Sequence, residues 1–266
     1  MAITIVMKKD FEALARSILL DERKNNVDTN EDGTPNYLIP LTDFFHFGLS
    51  VDCVVFGFDG ENLKILLIKR GASPYKHKWA IPGDLVYPNE NLETAAFRVL
   101  KDLTGLKDVF MQQIKSFGDV ARHPLGRVVT VSYMALIRIE NYFAEPSFWA
   151  DEINWHFAEN IKGLAFDHDE IFAKAIEKLR VRVRREPIGF ELLPLKFTLN
   201  ELQNLYEAVL DQSFDKGNFR KKILSMNLLI DLNELQTNVA HRPARLYSFD
   251  TDKYEQLKNK GFNFEL

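Results

Sequence analysis

Hydrophobic and polar positions follow two different periods along this chain, and the switches between them mark its elements. Apolar residues at 11, 14, 15, 18 and 19 of "DFEALARSILL" recur every three to four positions, which predicts an amphipathic helix over 10–20. The polar run "DERKNNVDTNEDGTPN" reads as a loop. "VDCVVFGFD" and "LKILLIKR" then predict two strands joined by a hairpin-like turn at Gly60-Glu61-Asn62. From Leu92 to Leu103 apolar side chains stand at 92, 95, 96, 99, 100 and 103, a broad helical stripe. "RVVTVSYMALIRIE" is a β-branched strand, and "HDEIFAKAIEKLRVRVRRE" a helix that runs into Pro187. "PIGFELLPLKF", with Pro187, Gly189 and Pro194, reads as a linker, and the domain boundary falls near 165–190.

Beyond the linker, "FTLNELQNLYEAVLDQSFDKGNFRKKILSM" carries two helical periods. Thr198 and Glu201 form a capping box, and apolar positions 199, 202, 205, 206 and 209 make one stripe. After a short turn, Asp215 is placed to cap a second helix. There Phe219, Ile223, Met226 and Ile230 fall on one side, with Asn218, Lys221, Lys222 and Ser225 on another. Two such helices, the second presenting cations and an amide, describe a helix-turn-helix with a recognition helix. "HRPARLYSFD" brings Arg242 and Arg245 around Pro243 into an aromatic strand, which suits a wing.

Charge supports that division. Residues 1–177 hold 19 Lys and Arg against 26 Asp and Glu, whereas 178–266 hold 15 against 12, so the later part is the one a polyanion would approach. No apolar run nears the roughly 18 residues that a membrane helix requires, and "MAITIVMKKD" has its basic residues on the wrong side for a secretory signal, so a cytoplasmic protein is expected. Cys53 is the single cysteine, which excludes an intrachain disulfide framework and places it in a buried strand. "DTNEDG" matches the first half of a calcium loop, but Ile39 stands where the closing Glu belongs.

The strands, the "WAIPG" entry and the helix after it resemble the Nudix family, whose box reads G-x5-E-x7-R-E-U-x-E-E-x-G-U. Glu90, Arg98 and Gly105-Leu106 set the register; Asp84 then stands at the first glycine, and Val99, Asp102 and Leu103 at the three helix acids. In active members those acids hold Mg²⁺ against a diphosphate. One carboxylate in place of three implies weak metal binding, no metal cofactor and no catalysis. The resemblance makes Glu90 and Arg98 a structural ion pair. A shifted acid set, Asp84, Glu93 and Asp102, is the alternative.

"FTLxELQxxYE", "DxxNFRxK", "RPAxLY" and "LAFDH" at 164–168 extend the resemblance to bacterial Nudix-related transcriptional regulators over about 46–250. It implies an α+β chain in which a Nudix-like α/β/α sandwich with a mixed sheet serves as sensor (46–165) and a winged helix-turn-helix follows (166–266), with the helix and loop read above (1–45) as an N-terminal extension. The family's partners are a palindromic double-stranded operator, met by a homodimer, and an effector such as ADP-ribose or a sugar. With the acids gone, a neutral sugar such as a pentose is the expected ligand. Trp79, Asp84, Arg122, His123 and Arg127 are candidates to bind it, the last three otherwise shaping their loop. Arg220, Lys221 and Lys222 are expected on phosphates, with Arg242 and Arg245 in the wing and Asn218 and Ser225 nearer base edges. The rival reading is a Mg²⁺-dependent ADP-ribose-type pyrophosphohydrolase with a basic appendage, which Asp102 and Glu90 favour and Val99 and Leu103 oppose.

Overall fold

Strand β1 (Gly48–Phe58) is the spine of the fold. It pairs in parallel with β6 (Val128–Arg138) along its length and antiparallel with β2 (Leu63–Arg70). The short β3 (Trp79–Ala80) and β4 (Gly83–Leu85) pair with β2 and β1, while β5 (Met111–Phe117) borders β6 and β7 (Ala150–Phe157) pairs with β2. One parallel pairing among antiparallel ones makes the sheet mixed, as expected. This computed structural model describes residues 47–107, 109–139, 150–237, 242–262 and 264. The segment 10–20, the "DTNEDG" loop and Ile39 lie outside them. Gly48–Leu266 forms one unit.

Alternation along β1 distributes its side chains between two cores. Val51, Cys53 and Val55 face helix α1 (Leu92–Thr104), meeting Ala95, Ala96, Val99, Leu100 and Leu103. Val54, Phe56 and Phe58 face the opposite layer, where helix α2 (His168–Arg185) contributes Ile171, Phe172, Ala175, Leu179 and Val183. The strand is buried on both faces, which is why Cys53 to Phe56 reads as an uninterrupted apolar stretch. Local signals set the boundaries. Asp59 Oδ1 accepts the N–H groups of Glu61 (3.1 Å) and Asn62 (2.7 Å) at the β1–β2 turn. Asn91 caps α1, and Gly105, in the left-handed region at φ 75°, ends it.

The α2-facing core continues without a break into the C-terminal part. Helices α3 (Leu199–Leu210) and α4 (Lys216–Ser225), the hairpin β8 (Leu229–Leu235) with β9 (Arg245–Phe249), and α5 (Thr251–Lys258) form a winged helix. Its Leu202, Leu205, Tyr206, Val209, Phe219 and Ile223 belong to the same apolar cluster as Phe56 and Leu179. The segment expected as a linker is instead packed. Pro187–Leu192 is a 3-10 turn, and Pro187, Gly189, Phe190, Leu192, Leu193 and Phe197 are buried. Gly189 permits this: a Cβ there would stand 3.2 Å from Val183 and 3.4 Å from Leu205. A second correction concerns α4, which stops at Ser225. Asn227 takes a left-handed φ of 57°, and Ile230 lies on β8, 45% exposed, off the helix face assigned to it.

Candidate functional site

Arg98 organises the loop before α1. Its Nε and Nη2 donate to the Glu90 carboxylate (2.7–3.2 Å), its Nη1 to Asp84 Oδ2 (3.2 Å) and its Nη2 to the Leu85 carbonyl (2.8 Å). The Tyr87 ring lies 3.8 Å from the guanidinium carbon, and the Tyr87 N–H donates to Glu90 Oε1 (2.8 Å). The hydrogen bond from Arg98 holds the Glu90 carboxyl below its usual range, and the same bond raises Arg98. Asp84 therefore stands as part of the loop clamp. Val99 and Leu103 are 0% and 4% exposed, packed on the sheet, while Asp102 is exposed to solvent. Among the described residues no three His, Cys, Asp or Glu side chains come together to hold a metal ion.

A second constellation joins loops that are far apart in sequence. Asp52, buried on β1, accepts from Thr130 Oγ1 (2.6 Å) and lies 3.5 Å from both Arg122 Nη2 and His168 Nε2. Arg122, buried as well, makes a two-pronged bond with Asp167: Nε to Oδ2 at 2.8 Å and Nη2 to Oδ1 at 2.7 Å. The Ile81 N–H donates to His168 Nδ1 (2.9 Å), so the ring proton sits on Nε2, facing Asp52. Burial lowers the His168 pKa from its ordinary value. Gly83 is required here, since a Cβ would fall 1.9 Å from Asp52 Oδ1. Arg127, in the same loop as Arg122, donates from Nη1 to the carbonyls of Gly118 (2.6 Å) and Asp119 (2.9 Å).

Beside this network sits a half-exposed aromatic platform. His123 stacks on Phe166 at 5.2 Å and 12°, Tyr75 meets Phe166 edge-on at 4.8 Å, and the Arg70 guanidinium lies 4.9 Å from the same ring. Phe166 and Tyr75 both hold left-handed backbone, at φ 54° and 61°, a conformation aromatic residues adopt only when their surroundings impose it. Burial pushes the His123 pKa down, aided by Arg122 and Arg70. His123 and Arg122 thus come together with Arg70, Tyr75, Phe166, Asp167 and His168. Arg127 braces the loop that carries them. Trp79 accepts the Ala165 N–H at its backbone carbonyl (2.8 Å), while its ring lies edge-on to His156 at 4.3 Å. Residue-level reading missed Asp52, Arg70, Tyr75, Phe166, Asp167 and His168. For Phe166, Asp167 and His168 the signal lay in "LAFDH", which agreed with the regulator family without a role attached; Asp52, Arg70 and Tyr75 had no such signal.

The third surface is α4. It buries only Phe219 and Ile223 and turns Asn218, Arg220, Lys221, Lys222 and Ser225 to solvent. Asp215 Oδ1 accepts the Asn218 N–H (2.8 Å), capping the helix, and Ser225 Oγ donates to the Lys222 carbonyl (2.7 Å). Thr198 and Glu201 close the capping box of α3. In the wing, exposed Arg245 pairs with Asp231 (2.8 Å), and Arg242 is exposed just before β9.

Helix α2 ties these surfaces together. Its first turn carries the Asp167–His168 contacts. Farther along, Lys178 Nζ donates to the Gln113 carbonyl (2.6 Å), and Arg182 bonds Gln112 on β5. Arg180 Nε donates to the Val209 carbonyl at the end of α3 (2.9 Å).

Family comparison matches the NUDIX domain over residues 46–176 and the NrtR DNA-binding winged helix domain over 189–249. A relative from Acinetobacter baylyi, named ADPR responsive transcriptional repressor NtrR, is 34% identical over 221 residues, 81% of this chain and 85% of its own. An ADP-ribose pyrophosphatase from Methanocaldococcus jannaschii is 30% identical over 128 residues, 48% of this chain and 72% of its own. The crystal structure of Shewanella oneidensis NrtR complexed with a 27mer DNA is similar at a TM-score of 0.67 and 28% identity, over 81% of this chain and 97% of that one. With both halves matched in order, and a relative 34% identical over 81% of this chain, this chain belongs to the NrtR family of Nudix-related transcriptional regulators.

Proposed function

We propose that this chain is a transcriptional regulator that binds operator DNA through α4 and responds to a nucleotide of the ADP-ribose class. The observation that carries this reading is the likeness to the A. baylyi ADP-ribose-responsive repressor, which spans both halves of the chain. It replaces the neutral pentose expected from the sequence. Loss of helix acids cuts both ways: it removes a metal site, and it also removes charges that would repel a diphosphate. Arg70, beside the Phe166 platform, supplies a cation without a metal, and the rings offer a surface for a base.

We read the box as non-hydrolytic. Val99 and Leu103 fill the apolar core between α1 and the sheet, so two of the three positions that would carry ligands are committed to packing. We also propose a homodimer on a palindromic operator, with two copies of α4 in major grooves about one helical turn apart. Coupling would run through α2, which touches the Asp52–Arg122 network at one end and α3 at the other. A ligand moves this equilibrium only by binding the two arrangements unequally.

The test uses the full chain and a duplex enriched from a randomised pool. ADP-ribose is expected to shift the affinity for that duplex at least fivefold, with arabinose and ribose without effect, as followed by fluorescence anisotropy. An unchanged affinity in the presence of tightly bound ADP-ribose would rule the coupling out. Production of AMP and ribose 5-phosphate on incubation with Mg²⁺ would establish the pyrophosphohydrolase reading instead, which the similarity to the M. jannaschii enzyme keeps in view.

A further inference from the structure

Helix α4 carries a large apolar side chain left half-exposed by the fold. Leu224 is 46% exposed, whereas the helix anchors itself to the core through Phe219 and Ile223. Leu224 follows Arg220 by four residues and Lys221 by three, so all three share one face of the helix. Between Lys216 and Ser225 there is no acidic residue, and Arg220, Lys221 and Lys222 are all exposed. That charge selects a polyanion as the occupant of this face over a second protein surface or a lipid tail. In the major groove the apolar feature a leucine can meet is the 5-methyl group of thymine. Ser225, the polar neighbour, has its hydroxyl proton engaged by the Lys222 carbonyl, so Leu224 is the exposed apolar group at this end of the helix.

We propose that Leu224 is a base-reading residue that packs on a thymine methyl, so that each half-site carries thymine at one fixed position. The inference rests on the DNA-binding reading above and adds a specificity element to it.

The full chain is first used to enrich duplexes from a randomised pool. Each thymine of the enriched site is then replaced in turn by deoxyuridine, which removes the methyl and keeps every hydrogen-bonding group. The wild-type protein is expected to bind about fourfold more weakly when one particular thymine per half-site is replaced, the loss of one buried methyl contact. The Leu224→Ser protein is expected to bind the thymine and deoxyuridine duplexes alike. Leu224 is exposed, so its fold is unaffected, and an unchanged thermal midpoint verifies this. Equal wild-type binding to every deoxyuridine duplex overturns the proposal, as does an undiminished loss in Leu224→Ser. Altered self-association of Leu224→Ser in sedimentation, with DNA binding intact, also overturns it and assigns the leucine to a second copy of the chain. A pool from which no duplex is enriched overturns the DNA-binding reading itself, whereas enrichment without methyl dependence removes only the role of Leu224.

Discussion

Arg122 lies buried, its Nη2 3.5 Å from Asp52 and 2.7 Å from Asp167, and removing it takes the shared cation away from both carboxylates. Truncating one partner of a buried ion pair costs far more than the intact pair contributes, because the remaining charge has no compensation. Arg122→Ala is therefore expected to lower unfolding free energy by about 3 kcal/mol, read from the denaturant midpoint. Gly83→Ala is expected to lower the thermal midpoint by several degrees, since its Cβ and Asp52 Oδ1 cannot share that space. A control at exposed Gly163 has left-handed φ but nothing within 4 Å, so its penalty reflects backbone conformation alone. His168 gives the pH dependence. Burial lowers its folded pKa, so the unfolded chain binds the proton more readily. The stability contribution is fully present above about pH 6.5 and is lost as pH falls below it toward the folded value. Unfolding free energies measured from pH 7.5 to 5.5 should fall, and more shallowly in His168→Gln. Only fragments of this network were legible in sequence: Arg122 stood out as a candidate contact and Asp167 and His168 within "LAFDH", but nothing joined them to Asp52. Asp52, Arg122 and His168 are separated by tens of residues, and a lone buried aspartate inside an apolar run has no local pattern to announce its partners.

Elements with a strong local signal were legible. The β1–β2 turn, α1 from Leu92, and the Thr198 capping box stand where side-chain chemistry and period both point the same way. Thr198→Ala should cost about 1 kcal/mol in the denaturant midpoint, because the buried cap satisfies the Glu201 N–H. What failed to show were β5 and β7, whose sequences lack the uninterrupted apolar content of β1. They lie at the margins of the sheet, with solvent on several side chains, so pairing rather than pattern defines them. The segment after Pro187 misled for the opposite reason: proline and glycine are turn formers, yet here they fit a buried corner. On α4, Lys221→Ala should weaken binding to operator and random duplexes alike, and lower the slope of log affinity against log salt by about one unit. Asn218→Ala should instead reduce discrimination between them. Equal losses for both variants on both duplexes would contradict this division of roles.

At the scale of the molecule, sequence revealed the order of parts and concealed how they join. The Nudix and winged-helix motifs were readable because each is built from short, locally determined segments. Their union depends on α2, whose two faces and two ends serve different partners. Arg180 is the contact on which transmission can be tested. Arg180→Ala removes the bond to the Val209 carbonyl, and the expected result is unchanged ADP-ribose affinity with a reduced effect of ADP-ribose on operator binding. Isothermal titration and anisotropy on the same preparation separate the two.

The continuous apolar cluster that runs from Phe56 through Leu179 to Tyr206 has a practical corollary for anyone building chimeras. A foreign sensor spliced on at Pro187 would sever hydrophobic contacts that stabilise both halves, so neither graft nor recipient would keep its native stability. A workable junction has to carry the long helix together with its docking residues on α3, making the exchangeable cassette larger than either recognisable module.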